Sequence, residues 1–152
     1  MNIDEIFAVD TLPKPGETVL AGSMRSEPGG KGGNQAVAAA RAGAAVQFVG
    51  AVGSDPAAAE VRAHLTANRI GTDGLVSLPG PSGKAVIVVD SAGENAIVVA
   101  PGANGHLTLD SADVRDVVAD CDVLLTQLEI PGSPCGAGLS SGASKRTGSI
   151  ES

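Results

Sequence analysis

The residue types best suited to ligand binding lie in one glycine-rich stretch, GGKGGNQ at residues 29–35. Its four glycines expose backbone N–H groups with no side chains in the way. The alanine-rich run at residues 36–42 predicts a helix whose positive dipole end faces the same space. Lys31 adds a cation, and the Asn34 amide can both donate and accept hydrogen bonds. The stretch therefore predicts a cradle for a polar ligand.

Two familiar phosphate-binding loops do not match this stretch. A Walker A loop has Ser or Thr after Gly-Lys, whereas Gly32 follows Lys31 here. The G-x-G-x-x-G spacing of a dinucleotide fold is absent, and the sequence predicts no strand directly before the glycines. Taken alone, the stretch leaves a second interpretation open, in which it is only a tight connection into the helix.

The surrounding segments predict an α/β fold, a parallel sheet covered by helices. The predicted strands lie at residues 6–9, 18–21, 46–53, 85–89, 96–100 and 123–128. The predicted helices lie at residues 36–42, between an Asp55-Pro56 start and Gly71, and behind an N-cap at Asp110. Alternation of strand and helix implies the parallel sheet. The turns at residues 13–16 and 90–95 instead predict two β-hairpins, which should form a separate small sheet.

Composition and charge exclude several classes of partner. A net charge of −7 and a pI near 4.6 leave no basic stripe for a nucleic acid or an anionic membrane. No signal peptide is visible, and no apolar run approaches the ~18 residues that cross a bilayer. Cys121 and Cys135 lack metal-ligand spacing, so reduced thiols are expected, with a disulfide as the alternative. We therefore predict a cytoplasmic protein.

The composition changes abruptly after residue 131. Residues 132–152 are rich in Ser and Gly and have almost no apolar side chains or periodicity. Such a segment cannot bury enough surface to order itself, so a disordered tail is predicted. Its onset directly after a good strand suggests a hypothesis that the tail is out of frame.

Several of these stretches together resemble the PfkB-type sugar kinases, and within them the ribokinases. Residues 29–36 resemble the family's first signature, and Asn2-Ile3-Asp4 resembles its N-x-D motif. The other matching stretches are residues 12–18, 49–55, 93–95, 102–104 and 127–129. The resemblance covers residues 2–131 and is specific as a set.

The resemblance implies a ribokinase-like α/β domain with a β-hairpin lid, formed by residues 3–27 and 84–101, that closes over a pentose. It implies that six residues contact the sugar: Asn2, Asp4, Gly30, Lys31, Asn34 and Glu129. The implied reaction transfers the γ-phosphoryl group of ATP to D-ribose, giving D-ribose 5-phosphate, with Mg²⁺ and a monovalent cation. Pairing of two lids implies a homodimer. The alternatives left open are that Asp4 is a solvated strand-end charge and that Glu129 is a loop carboxylate.

The departures from the family pattern concern catalysis. The family's catalytic Asp, its nucleotide pocket and its cation loop belong to a second signature beyond residue 152, and its first central strand normally precedes the N-x-D motif. The usual T-G-x-A reads SGKA at residues 82–85. We therefore expect a fold truncated at both ends and an inactive fragment that binds neither ATP nor metal well. The first alternative is a non-catalytic sugar-binding or dimerisation module. A third, weaker possibility is an unrelated α/β nucleotide-binding domain.

Overall fold

The computed structural model describes residues 1–109 and 111–127, together with the backbone of residues 146–149. Within these ranges the strands are β1 (Asn2–Ala8), β2 (Ser23–Gly29), β3 (Gly50–Val52), β4 (Leu75–Ser77), β5 (Gly83–Val89), β6 (Asn95–Ala100), β7 (Val123–Thr126) and β8 (Arg146–Ser149). The helices are α1 (Lys31–Arg41), α2 (Pro56–Ala67) and α3 (Ala112–Asp120), with a short 3₁₀ helix at Gly102–His106.

The two predicted hairpins form one four-stranded sheet, in the order β2-β1-β5-β6, which we call the lid sheet. Strand β1 is antiparallel to β2 and parallel to β5, and β5 is antiparallel to β6. At the end of the sheet where β1 begins, Asn2 pairs with Gly29 on one side and with Gly83 on the other. The prediction of a separate small sheet is confirmed.

The second strand of the first hairpin lies later in the chain than predicted. It spans Ser23–Gly29 rather than residues 18–21, and the Gly22 N–H already donates to the Ala8 carbonyl oxygen at 2.9 Å. Residues 18–21 have strand-forming side chains, but Leu20 is 91% exposed and has no apolar surface to pack against. Because β2 runs up to Gly29, a strand does precede the glycine-rich stretch, and that prediction was also wrong.

The helical layer packs α1 and α2 on short parallel strands. Strand β3 pairs with β4, which the sequence analysis missed because a three-residue strand carries too little pattern. The buried core of this layer joins residues from both helices, both strands, β1 and the connecting segments: Ile3, Ala36, Val37, Phe48, Val52, Val61, Leu65, Ile70 and Leu75. Alternating helices and parallel strands confirm the α/β class.

Two predictions about the chain after residue 109 need correction. The N-cap of α3 is Ser111, whose hydroxyl accepts from the Val114 N–H at 3.3 Å, whereas Asp110 lies outside the described residues. Strand β8 pairs in parallel with β7, so residues 146–149 are a strand within the segment predicted to be disordered. A strand edge offers backbone donors and acceptors that any sequence can pair with. The other residues of the predicted tail lie outside the description.

A partly buried hydrogen-bond cluster ties the start of α2 to the lid sheet. The Ser82 hydroxyl donates to Asp55 Oδ1 at 2.6 Å, and the Ser82 N–H donates to Asp55 Oδ2 at 2.9 Å. The Gly53 N–H donates to the Ser82 hydroxyl at 2.9 Å, and Asp55 also caps α2 by accepting from the Ala58 N–H at 3.2 Å. The hydrogen bonds from Ser82 lower the pKa of the Asp55 carboxyl, since they favour its ionised form.

Replacing Asp55 with Ala should reduce the free energy of unfolding by about 2 kcal/mol, because a helix cap is lost and the Ser82 hydroxyl is left unsatisfied. Urea unfolding followed by circular dichroism measures this change. The matched control is Asp10→Ala on an exposed loop, which should stay within about 0.5 kcal/mol of the wild type. Equal stabilities of the two variants would contradict the role given to Asp55.

The same variant should also show a specific pH dependence. A carboxyl whose pKa is lowered by folding stabilises the protein above its unfolded-state pKa and loses that effect as the pH falls through the folded value. The stability gap between wild type and Asp55→Ala should therefore be full at pH 7 and narrow below about pH 4. Unfolding curves at a series of pH values measure it, and a constant gap would count against the ionised cluster.

Candidate functional site

The start of β1 and the start of α1 meet at one place, and three of the predicted sugar-binding residues lie there. Asn2 and Asp4 are two residues apart on β1 and therefore share one face of the lid sheet. Gly30 is the N-cap of α1 and adopts φ +88°. A Cβ built on Gly30 would stand 3.4 Å from the Asn2 backbone nitrogen and 3.6 Å from Asn2 Nδ2. The structure thus brings Asn2, Asp4 and Gly30 together.

Gly29 allows the Asp4 carboxylate to lie close to the glycine-rich backbone. A Cβ built on Gly29 would overlap the carboxylate atoms of Asp4, so a larger residue would force that side chain to move. The Gly30 backbone N–H hydrogen-bonds to the same carboxylate. One carboxylate oxygen is therefore used within the chain, on the side where the helix begins.

The other carboxylate oxygen of Asp4 is buried and unused. Among the described residues, Asp4 Oδ1 has no hydrogen-bond partner. Burial raises the pKa of the Asp4 carboxyl, the Gly30 hydrogen bond opposes that change, and the nearby Glu27 carboxylate raises the pKa further. Buried polar atoms in folded proteins are nearly always satisfied, so an unused acceptor in this place indicates a missing donor.

The glycine-rich stretch is built differently from the predicted cradle. Gly29 ends β2 and Gly30 caps α1, but the helix already begins at Lys31, so Gly32 and Gly33 lie inside its first turn. The prediction that all four glycines precede the helix was wrong, because the helix starts five residues before the alanine run. Gly33 is buried against the Met1 side chain, and a Cβ there would stand 2.6 Å from Met1 Cγ.

Asn34 and Lys31 lie on the exposed side of this first turn. Asn34 lines an open groove of about 460 Å³ between α1, α2 and β2. The other lining residues are Glu27, Pro28, Val37, Ala38, Arg41 and His64. Glu27 pairs with Asp4 across β1 and β2, so the groove adjoins the Asp4 position. The roles of Asn34 and Lys31 stay predictions.

The carboxyl end of β7 also reaches the first turn of α1. Gln127 Nε2 donates to Gln35 Oε1 at 2.6 Å, and a Cβ built on Gly32 would stand 3.5 Å from Gln127 Cγ. Gln127 belongs to the 127–129 stretch that resembles the family, but that resemblance predicts no contact with Gln35. Glu129, the sixth predicted sugar-binding residue, lies outside the described residues.

Asn104 is the residue of this site that sequence analysis missed. Its Nδ2 donates to Asn2 Oδ1 at 2.9 Å and to the Met1 carbonyl oxygen at 3.0 Å. The GAN stretch at residues 102–104 was noted as a resemblance, yet nothing in its spacing indicates a contact with residues at the other end of the sequence. Asn104 therefore belongs to the same cluster as Asn2, Asp4 and Gly30.

No three or more His, Cys, Asp or Glu side chains within the described ranges group closely enough to hold a metal ion. None of the helices in that part of the chain is long and apolar enough to cross a membrane.

Relatives of this chain are ribokinases from several kingdoms. It is 40% identical to the ribokinase of Bacillus subtilis over 131 residues, which is 86% of this chain and 45% of the relative. It is 37% identical to the ribokinase of Haemophilus influenzae over 150 residues, which is 97% of this chain and 48% of the relative. The chain therefore spans about half the length of the relatives that it matches.

Solved structures agree with these relatives. A ribokinase from Thermotoga maritima superposes with a TM-score of 0.78 at 39% identity, covering 86% of this chain and 43% of that one. The ribokinase of Arabidopsis thaliana, solved with ribose and ATP, superposes with a TM-score of 0.76 at 32% identity over the same 86% and 43%. Both confirm a ribokinase-like fold for the described part of the chain.

The family match covers most of the sequence. Residues 1–128 match the family described as pfkB family carbohydrate kinase, and this range includes the lid sheet, both helices of the core layer and the cluster around Asp4. By this match, the chain belongs to the pfkB family of carbohydrate kinases.

Proposed function

We propose that this chain is the N-terminal, sugar-binding portion of an ATP-dependent carbohydrate kinase that converts D-ribose to D-ribose 5-phosphate. The observation that carries the proposal is the half-buried carboxylate of Asp4, whose buried Oδ1 has no hydrogen-bond partner among the described residues. A ribose hydroxyl supplies the donor that this oxygen lacks. The proposal is supported by the ribokinase of Arabidopsis thaliana, which was solved with ribose and ATP.

The chemistry of the cluster suits a polyol. An ionised carboxylate only accepts hydrogen bonds, whereas the amides of Asn2 and Asn34 also donate. Neighbouring hydroxyls of a pentose both donate and accept, so Asp4 and Asn2 together satisfy one hydroxyl pair. Gly30, Lys31 and Glu129 complete the proposed set. An analogue that lacks one hydroxyl would leave a buried group unpaired, at a cost of about 1–3 kcal/mol.

In the proposed reaction this chain holds the acceptor. Phosphoryl transfer depends on positioning and on stabilisation of charge. The residues of the site orient the sugar and exclude water around its hydroxyls. ATP, Mg²⁺ and a monovalent cation belong to the full-length enzyme in this proposal.

The lid sheet supplies a second proposed role, formation of a homodimer. Several of its apolar side chains are exposed: Met24 58%, Ile97 53%, Val98 71% and Val99 55%. Met24 lies on the edge strand β2 and the other three on the opposite edge strand β6, and exposed apolar side chains favour a partner surface. Together with the proposed sugar site, this supports the alternative function, a non-catalytic sugar-binding or dimerisation module. The cytoplasmic location stays a prediction.

Purified 152-residue protein should bind D-ribose without phosphorylating it. Titration calorimetry measures the binding, and a coupled assay for ADP release measures turnover. Binding without turnover supports both the fragment and the module, and sedimentation analysis then separates a dimer from a monomer. ATP-dependent phosphorylation of ribose by this chain alone would contradict its assignment as an inactive portion.

Asp4→Asn should weaken ribose binding about 10- to 100-fold, because a hydrogen bond to a charged group contributes about 1.5–3 kcal/mol. The matched control is Asp10→Asn on an exposed loop, which should bind ribose like the wild type. Titration calorimetry measures the ribose affinity of both variants. Unchanged affinity of Asp4→Asn would remove Asp4 from the site.

The same variant should be more stable than the wild type at neutral pH. Folding raises the pKa of the Asp4 carboxyl, so the ionised form destabilises the fold and the neutral form does not. The advantage of Asp4→Asn should be present at pH 7 and vanish as the pH falls below about 4, where the wild-type carboxyl is neutral in both states. Thermal unfolding at several pH values measures it. A variant less stable than the wild type at pH 7 would contradict the burial argument.

A further inference from the structure

Asn104 makes hydrogen bonds to both of the first two residues of the chain. Its Nδ2 donates to Asn2 Oδ1 at 2.9 Å and to the Met1 carbonyl oxygen at 3.0 Å, and its Oδ1 accepts from the Met1 nitrogen at 3.3 Å. An asparagine amide has two N–H donors, so both are occupied. The side chain is only partly exposed.

These partners fix which way the Asn2 amide is turned. A backbone carbonyl only accepts, so the atom of Asn104 that faces the Met1 carbonyl must be the nitrogen. The same nitrogen faces Asn2, and the atom that Asn2 presents to it must therefore be the oxygen. The nitrogen of Asn2 is turned the other way, 3.6 Å from the position of a Cβ built on Gly30.

Asn2 thus presents a donor beside the acceptor of Asp4. We propose that Asn104 is a positioning residue, which holds Asn2 as a hydrogen-bond donor in the sugar site. This inference rests on the proposed function. A sugar hydroxyl that donates its hydrogen to Asp4 still has an oxygen that can accept a hydrogen bond, and so does the neighbouring hydroxyl of the sugar. The oriented amide of Asn2 supplies the donor for one of these oxygens.

The surroundings of Asn104 hold it in this role. Its N–H donates to the Pro101 carbonyl oxygen at 3.0 Å within the 3₁₀ helix, and the preceding Ala103 is 1% exposed. On the other side, a Cβ built on Gly83 would overlap both Asn104 Nδ2 and Asn2 Oδ1. The hydrogen bond between the two amides therefore occupies space that β5 leaves open by having glycine there.

Asn104→Asp tests the proposal directly. The introduced carboxylate cannot donate, so the Asn2 amide must turn its nitrogen towards it and present an oxygen to the site. Ribose affinity should fall about 10-fold or more, as measured by calorimetry. The matched control is Asn95→Asp, the same change on the exposed strand β6, which should leave the affinity unchanged. An unchanged affinity in Asn104→Asp would overturn the proposal.

A double-variant cycle separates positioning from general damage to the fold. If Asn104 acts through Asn2, adding Asn104→Asp to Asn2→Ala should change ribose affinity less than about 2-fold, since the group it orients is already gone. An equal loss in both backgrounds would overturn the inference. Asn2→Asp keeps the acceptor that Asn104 needs but removes the donor, so it should lose as much affinity as Asn104→Asp. The Asn2→Asp variant tests the proposal even if Asn104→Asp does not fold. Wild-type ribose affinity in Asn2→Asp would also overturn the proposal.

A ligand-free measurement keeps this inference separate from the proposed function. In NMR spectra of the free protein, the side-chain amide signals of Asn2 should shift in Asn104→Asp and remain in place in Asn95→Asp. Unmoved Asn2 signals in Asn104→Asp would overturn the positioning role. If the wild type binds no ribose, the proposed function fails, whereas these spectra still decide whether Asn104 orients Asn2.

Discussion

Strand β1 pairs along its whole length with a neighbour on each edge, and the described site depends on that double pairing. On one side it is antiparallel to β2, which leads directly into Gly30 and α1. On the other side it is parallel to β5, which begins at Gly83. Because the register is the same from Asn2 to Ala8 on both sides, a shift by one residue would turn Asn2 and Asp4 to the opposite face. The positions of the two polar side chains are therefore fixed by backbone hydrogen bonds.

The cluster at the start of β1 is arranged at the expense of stability. The Asp4 carboxylate is partly buried, has a carboxylate from Glu27 near it, and keeps one oxygen without a partner among the described residues. Each of these features disfavours the ionised form. The Gly30 amide and the positive end of α1 offset part of the cost, and a sugar hydroxyl would offset more. Carboxyl groups whose pKa is perturbed in this way are concentrated at functional sites of proteins.

Local chemistry explains what could be predicted from the sequence. Asp55 followed by Pro56 specifies the start of α2 within a few residues, and the turn at residues 90–95 specifies the hairpin of β5 and β6. Residues 18–21 were misassigned because strand propensity does not decide whether Leu20 finds a surface to pack on. The short strand β4 has too few residues for a pattern.

Long-range contacts explain what could not be predicted from the residues alone. Asn104 lies 102 residues from Asn2 in the chain, and only the fold brings their amides together. The same holds for Gln127 and Gln35, which are 92 residues apart. Asn2, Asp4 and Gly30 were named because a family resemblance supplied them, and their proximity was then found in the structure. Glu129 was predicted from the same family resemblance, and it lies outside the described residues.

The row formed by Gly29, Asn2 and Gly83 has a mechanical consequence. The chain enters and leaves the lid sheet at this row, and the cluster of Asp55 and Ser82 anchors it to α2. The far end of β1, at Ala8, lies about 20 Å away at the usual rise of a strand. A rotation of the lid sheet about this row of residues would move the far end of β1 by several ångströms but would barely displace Asn2. The predicted sugar-contacting residues Asn2 and Gly30 lie on or next to this axis, so such a rotation would leave their mutual geometry nearly constant.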